Sequence, residues 1–340
     1  MEFGLFDHLD RNRNPDTQLY ADRLAIIEAA EAAGFRSYHM AEHHMTPLGL
    51  GPSPSVFLAA VAQRTRTIRL GPLVYLLPLY HPLRLVEEIC MLDQLSGGRL
   101  ELGVGAGVSP YEVGYFGINQ ENKQSRYHEA LAVVIKGLTS ERLDHAGETF
   151  RFDNVPMILR PVQTPMPPLW AGVGSEPGMI FAARHGMNAI GLGPTARIKS
   201  IVAFYRDAWE SQADDPMRAF TPTRTPFMGA LRQIHVAETD AQAWDEASPA
   251  YESWYAALNW LWAEHGAQVS TNLAGDLKSG VDNGAVIIGA PDTVRAAVAE
   301  EVAETGSNYF VLQFAFGTLT RDQVIRSIDL FAEAVMPALA

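Results

Sequence analysis

Eight short apolar runs recur along this 340-residue chain, each followed by a stretch with helical spacing, and that rhythm constrains the fold more than any other feature. The runs lie at residues 3–6, 35–42, 67–75, 100–104, 168–173, 188–192, 230–236 and 309–313. Between them apolar residues return every three or four positions, as in residues 18–33, where Gly34 gives the stop signal. A strand followed by a crossover helix is the unit of a parallel sheet, and eight such units close a ring. The expected class is therefore α/β, a (β/α)8 TIM barrel with inserted loops at its C-terminal rim. A doubly wound open sheet uses the same units, but the even spacing and the lack of an early dinucleotide-binding loop count against it.

Three stretches break the rhythm, at residues 105–124, 144–167 and 266–289, and read as insertions. The second contains a hairpin-like Glu148-Thr149-Phe150-Arg151-Phe152, and the third is polar and rich in glycine. In a barrel enzyme the long loops after strands supply lids over the site. With no linker composition and no internal repeat, residues 1–340 read as one domain. The hydrophobic fraction, 47%, supports a full core, and a net charge of −13 with no basic run excludes a nucleic-acid or anionic-membrane partner. The single cysteine, Cys90, excludes an internal disulfide and a cysteine metal cluster. No signal-peptide pattern and no membrane-length apolar segment is found, so the expectation is a soluble, cytoplasmic protein.

On the barrel map Ala41-Glu42-His43-His44 falls at the C-terminal end of the second strand, on the catalytic rim. A carboxylate beside two imidazoles is poor packing material but suits proton handling near neutral pH. The plainer alternative is a pair of solvated loop histidines. A metal site needs three or four converging ligands; Asp7-His8 could join the histidines, but no His-x-His spacing occurs. Val173-Gly174-Ser175-Glu176-Pro177-Gly178, between strand five and its helix, has the makings of an anion cradle, as does Gly191-Leu192-Gly193-Pro194-Thr195 after strand six. Ordinary turn chemistry satisfies the same residues. Gly103-Val104-Gly105-Ala106-Gly107 lacks the context of a dinucleotide fingerprint. The aromatic stretch from Trp244 to Trp262 reads as core for most rings and as pocket wall for one or two.

These motifs, with His81-Pro82-Leu83-Arg84-Leu85, Leu92-Asp93-Gln94-Leu95-Ser96-Gly97-Gly98-Arg99, Pro167-Pro168-Leu169-Trp170-Ala171-Gly172 and Asn308-Tyr309-Phe310-Val311-Leu312-Gln313-Phe314, resemble the bacterial luciferase-like, flavin-dependent monooxygenases nearly end to end. The resemblance implies a barrel that binds FMN as FMNH2, delivered by a separate NAD(P)H:flavin reductase. It also implies reaction with O2 through a C4a-hydroperoxide, oxygenation of a small, mostly apolar carbonyl or hydrocarbon, and a homodimer. It gives His43 the acid/base role, with His44 next and Glu42 orienting one of them. It places the flavin ring on Leu73 and Val74, often joined by a non-proline cis peptide, with Gly105 close by and Tyr127 reaching the flavin. It puts the phosphate at Gly174, Ser175 and Glu176, beside Leu192 and Gly193. Where light-emitting members carry cysteine and arginine after strand four, this chain has Gly105 and Ala106, leaving Ser175 and backbone amides to hold the phosphate and making light emission unexpected. Two rivals stand beside this reading: hydride transfer with the deazaflavin F420, and a flavin-binding barrel without turnover.

Overall fold

A computed structural model describes residues 1–269 and 273–339. Eight strands form its frame: β1 (Glu2–Asp7), β2 (Ser37–Met40), β3 (Arg69–Pro72), β4 (Leu102–Gly105), β5 (Leu169–Val173), β6 (Asn188–Gly191), β7 (Met228–Val236) and β8 (Tyr309–Gln313). All neighbouring pairs are parallel, from β1–β2 and β2–β3 through β4–β5, β5–β6, β6–β7 and β7–β8 back to β8–β1. The β3–β4 seam is thinner: the two-residue strand Tyr75–Leu76 that follows β3 pairs with Val104 and Gly105, and a bridge joins Leu70 and Leu100. There the Leu70 N–H donates to the Arg99 carbonyl at 3.1 Å and the Glu101 N–H to the Leu70 carbonyl at 2.8 Å. The ring is closed, and the expected TIM-barrel class holds.

The alternation of each strand sorts side chains into two layers. Phe3, Leu5, Phe310 and Leu312 point outward and join the large apolar shell beneath the helices. Phe6, Trp170, Ile190, Tyr309 and Val311 come from strands around the ring yet touch one another, so they fill its interior. The N-terminal end of the barrel is plugged by His39, Trp170 and Tyr309, with ring centroids 4.8 Å (His39–Trp170) and 5.1 Å (Trp170–Tyr309) apart. Glu101 anchors the plug by accepting hydrogen bonds from the Trp170 indole and from Arg69. Burial, together with the charges of Arg36 and Arg69, pushes His39 down to about 3, so it sits in the plug as a neutral ring. With that end filled, open space is left toward the C-terminal ends of the strands.

The helices obey local rules. Pro82–Ser96 begins with proline in its first turn and stops at Gly97, whose φ of 66° is the left-handed conformation glycine supplies. The 144–167 insertion is a hairpin, as expected, pairing Arg142–Ala146 with Arg151–Pro156. The other two insertions hold more structure than expected. Residues 105–124 contain the short helix Pro110–Tyr115 and the start of the helix Gln120–Thr139. Residues 266–289 contain the helix Leu277–Asp282 and the strand Val286–Gly289, which pairs with Gln233 to Val236 of β7; Ser270, Thr271 and Asn272 lie outside the described residues. Among the described residues no helix is long and apolar enough to cross a membrane.

Candidate active site

A cavity of about 360 Å³ opens at the C-terminal ends of the strands. Its walls are mostly apolar, with Phe6, Leu48, Leu231, Leu258 and Leu261 among them. Leu73 and Val74, which follow β3, line it, and the peptide between them is cis. Gly105, at the end of β4, lies behind Val74, where a Cβ would come within 2.5 Å of Val74 Cγ2. A larger residue there displaces Val74, so glycine is needed for this close approach.

The Glu-His-His cluster divides when folded. His43 lines the cavity, and its Nδ1 lies 3.2 Å from Glu112 Oε1. The other oxygen of Glu112 accepts the His44 N–H at 2.8 Å. Glu112 thus orients His43, while Glu42, expected to orient one of the two histidines, meets His44. With Nδ1–H donated to a carboxylate, the Nε2 of His43 is left as the exchangeable site. Glu42 and His44 do not line the cavity. His44 Nε2 meets Glu42 Oε1 at 2.8 Å, and Glu42 Oε2 accepts from the Leu76 N–H and the Tyr80 hydroxyl, both at 3.0 Å. This buried carboxylate ties the end of β2 to the segment after Leu73–Val74, a positioning role.

Sequence reasoning missed Glu112, although Ser109-Pro110-Tyr111-Glu112 carries a helix-start signal: the Ser109 hydroxyl accepts the Glu112 N–H at 3.3 Å. It also passed over His8, considered only as a metal ligand. His8 lines the cavity with its ring 5.6 Å from that of His43, and its Nδ1 meets Gln313 Nε2 at 3.0 Å. Burial first, then the neighbouring His43, pushes His8 well below the ordinary histidine range. Among the described residues no three of His, Cys, Asp and Glu converge as metal ligands.

Of the two loops expected to form an anion cradle, the one at Gly174 to Glu176 does not line the cavity and the one after Gly191 does. Ser175 caps the helix Glu176–Arg184, accepting the Gly178 N–H at 3.4 Å, while Gly174 and Glu176 flank it in exposed positions. Leu192 lines the cavity and Gly193, at φ 117°, follows it, its carbonyl fixed by buried Arg232 at 2.8 Å. A cation is present that the sequence reading did not supply. Arg197 Nη2 donates to the Gly174 carbonyl at 2.9 Å, and Arg197 Nε is buried with no partner among the described residues. Its position in the first turn of the helix Thr195–Ser211, two residues past the second glycine loop, was the available signal. Tyr127 is not brought to the cavity; it packs behind the cradle, 5.8 Å from the Phe181 ring, and burial pushes its hydroxyl upward. Of the aromatic stretch, Trp254 and Trp262 line the cavity, whereas Trp244 and Tyr255 pack on the core.

Comparison with known proteins agrees with this architecture. The description of the luciferase-like monooxygenases matches residues 1–309, and the chain belongs to that family. An uncharacterised protein of Sinorhizobium fredii, y4wF, is 40% identical over 322 residues, covering 95% of this chain and 92% of its own. The 4-hydroxyprotoasukamycin monooxygenase of Streptomyces nodosus subsp. asukaensis is 30% identical over 330 residues, 95% of this chain and 88% of its own. The oxygenase component of the flavin-dependent trigonelline monooxygenase of Acinetobacter baylyi is 27% identical over 251 residues, 72% and 67% of the two chains. Among solved structures, the monooxygenase RslO1 from Streptomyces bottropensis superposes with a TM-score of 0.88 at 26% identity, over 100% of both chains.

Proposed function

We propose that this protein is a two-component monooxygenase that uses FMNH2, delivered by a separate NAD(P)H:flavin reductase, to insert one atom of O2 into a small, mostly apolar organic substrate. The observation that carries the reading is His43, held by Glu112 on the wall of an apolar cavity and facing it beside the Leu73–Val74 shelf. The names of the relatives, monooxygenases in two cases and an oxygenase component in one, support the same class.

The residues present fit FMN on two counts. An apolar shelf, Leu73 and Val74 backed by Gly105, suits a flat ring. The unpaired Arg197 Nε, beside Ser175 and the amide groups opening the helix Glu176–Arg184, suits a phosphate dianion. Gly174, Ser175, Glu176 and Arg197 would hold that phosphate, with Leu192 and Gly193 along its edge and Tyr127 supporting the cradle through Phe181. When bound, FMNH2 supplies two electrons to O2, so that one oxygen atom enters the product and the other leaves as water.

The chain's own groups do the rest. His43 Nε2 takes or gives the proton at the reacting centre, the work of a general acid/base. Leu48, Leu258 and Leu261 keep water away from that centre. Glu42 and His44 hold the shelf segment in place. From the resemblance alone we extend the reading to a homodimer of single-domain chains. The test supplies NADH, an unrelated flavin reductase, FMN and isotopically labelled O2 with a panel of aldehydes, ketones and terpenes. Labelled product that depends on FMN is expected; oxygen-independent turnover with F420 would overturn the reading.

A further inference from the structure

One corner of the cavity is built unlike the rest. Gln233 of β7 and Gln313 of β8 are register partners, so their amides project to the same side of the ring, and both line the cavity. Trp254, from the helix Asp240–Glu264, completes the corner, its ring 6.1 Å from that of His8. Gln233, Gln313 and Trp254 are 3%, 0% and 2% exposed, which makes each polar group costly to leave unpaired. Gln313 Nε2 is used, toward His8 Nδ1 at 3.0 Å and the Ala315 carbonyl at 3.4 Å. Gln233 Nε2, Trp254 Nε1 and Gln313 Oε1 have no partner among the described residues.

We propose that this corner is the substrate's oxygen subsite, in which Gln233 Nε2 and Trp254 Nε1 donate to the two lone pairs of one neutral carbonyl oxygen. The substrate is then a carbonyl compound with an apolar body, not a plain hydrocarbon. An indole N–H is only a donor, so its partner must be an acceptor whichever way the glutamine amide is turned. That acceptor is uncharged, because among the described residues no lysine or arginine lines the cavity and the Glu112 carboxylate does. Gln313 Oε1 beside the donors disfavours an anion further, and accepts from water or from a hydroxyl next to the carbonyl. This subsite rests on the function proposed above for one point, that the ring on Leu73–Val74 is the cofactor's. β7 is four strands from β3 in a ring of eight, so the corner lies across the cavity from that shelf and is left to the substrate. Anchoring the carbonyl there also fixes which neighbouring carbon is presented to the shelf.

The test is calorimetric titration of the full-length protein, with and without FMN, using cyclohexanone, cyclodecanone and decalone beside their parent hydrocarbons. Gln233→Met and Trp254→Phe are each expected to weaken ketone binding about tenfold, the loss of one buried hydrogen bond, and to leave hydrocarbon binding within about twofold. The unchanged hydrocarbon affinity shows that the variants are folded. In the wild type, the infrared carbonyl stretch of the bound ketone is expected below its value in hexane, moving back toward that value in both variants. A stretch at the hexane position, equal losses for ketone and hydrocarbon, or no ketone binding anywhere in the series overturns the subsite. Loss of FMN affinity in the variants with ketone binding intact also overturns it, by giving the corner to the cofactor. Ketone selectivity in a protein that binds no FMN would instead remove the proposed function and leave this subsite standing.

Discussion

The β2–β3 flank of the cavity and the β7–β8 flank are both polar and both buried, yet they manage their polar atoms differently. On the first, Glu112 spans His43 and the His44 amide, and Glu42 spans His44, Leu76 and Tyr80. On the second, Gln233 Nε2, Trp254 Nε1 and Gln313 Oε1, of residues that line the cavity, are buried without partners among the described residues. A group whose neighbours satisfy it is held in one geometry before any ligand arrives, which is what a proton-handling residue needs. A group left unsatisfied in a dry wall gains its bond only when the right ligand enters, which is what a selective subsite needs. Under the proposed function the comparison separates chemistry from recognition: one flank would act and the other would choose.

The largest expected effect breaks the acting flank. His43→Ala should lower product formation about 10²- to 10⁴-fold, the usual reach of a general acid/base, while FMN affinity changes little. An unaltered rate in a confirmed assay would remove His43 from the chemistry. Next comes Glu112→Ala, which strips a partner from both His43 and the His44 amide. It should cost about 1–3 kcal/mol of stability in chemical denaturation as well as activity, with Glu112→Gln recovering part of each. Equal loss in both variants would mean that the carboxylate's charge, and not its geometry, matters.

A third test compares the phosphate cradle with the cavity itself. Arg197→Ala should weaken FMN by about 1.5–3 kcal/mol, a charge-assisted contact, and Ser175→Ala by about 1 kcal/mol, with riboflavin binding untouched by either. Parallel losses for riboflavin would move Arg197 away from the phosphate. The last test concerns the plug beneath both flanks. His39 stays neutral in the folded chain down to about 3, whereas the unfolded chain protonates it near its ordinary value of 6.5. Between those limits the unfolded state binds more protons, so stability falls as pH drops, by about 1.4 kcal/mol per pH unit from this group. His39→Leu should flatten the melting temperature against pH in that window; an unchanged slope would assign the acid sensitivity elsewhere.

The barrel was legible because each strand is a compact apolar run and each helix keeps its spacing and its stops, down to Gly97 after Pro82–Ser96. Val286–Gly289 was hidden because its four residues follow a polar, glycine-rich stretch that masks so short a run. In the candidate site, Glu42-His43-His44 stood out because charged and titratable neighbours at a strand end have no packing value. Their division of labour did not, since it depends on Glu112, 69 residues from His43 in sequence. Gln233 and Gln313 gave no signal: an amide in an apolar strand reads as an ordinary interruption until the ring brings two such strands together. Arg197 was obscure for a related reason, as a lone arginine at a helix start becomes meaningful only beside the Gly174 carbonyl of another loop.

The most direct measurement is an anaerobic titration of the protein with reduced FMN and, separately, with reduced F420, in the wild type and in Arg197→Ala. The account expects saturable FMN binding that the substitution weakens about tenfold or more, with F420 failing to compete. Saturable F420 binding, with FMN excluded and Arg197 indifferent, would contradict it and turn the His43 flank toward hydride-transfer chemistry.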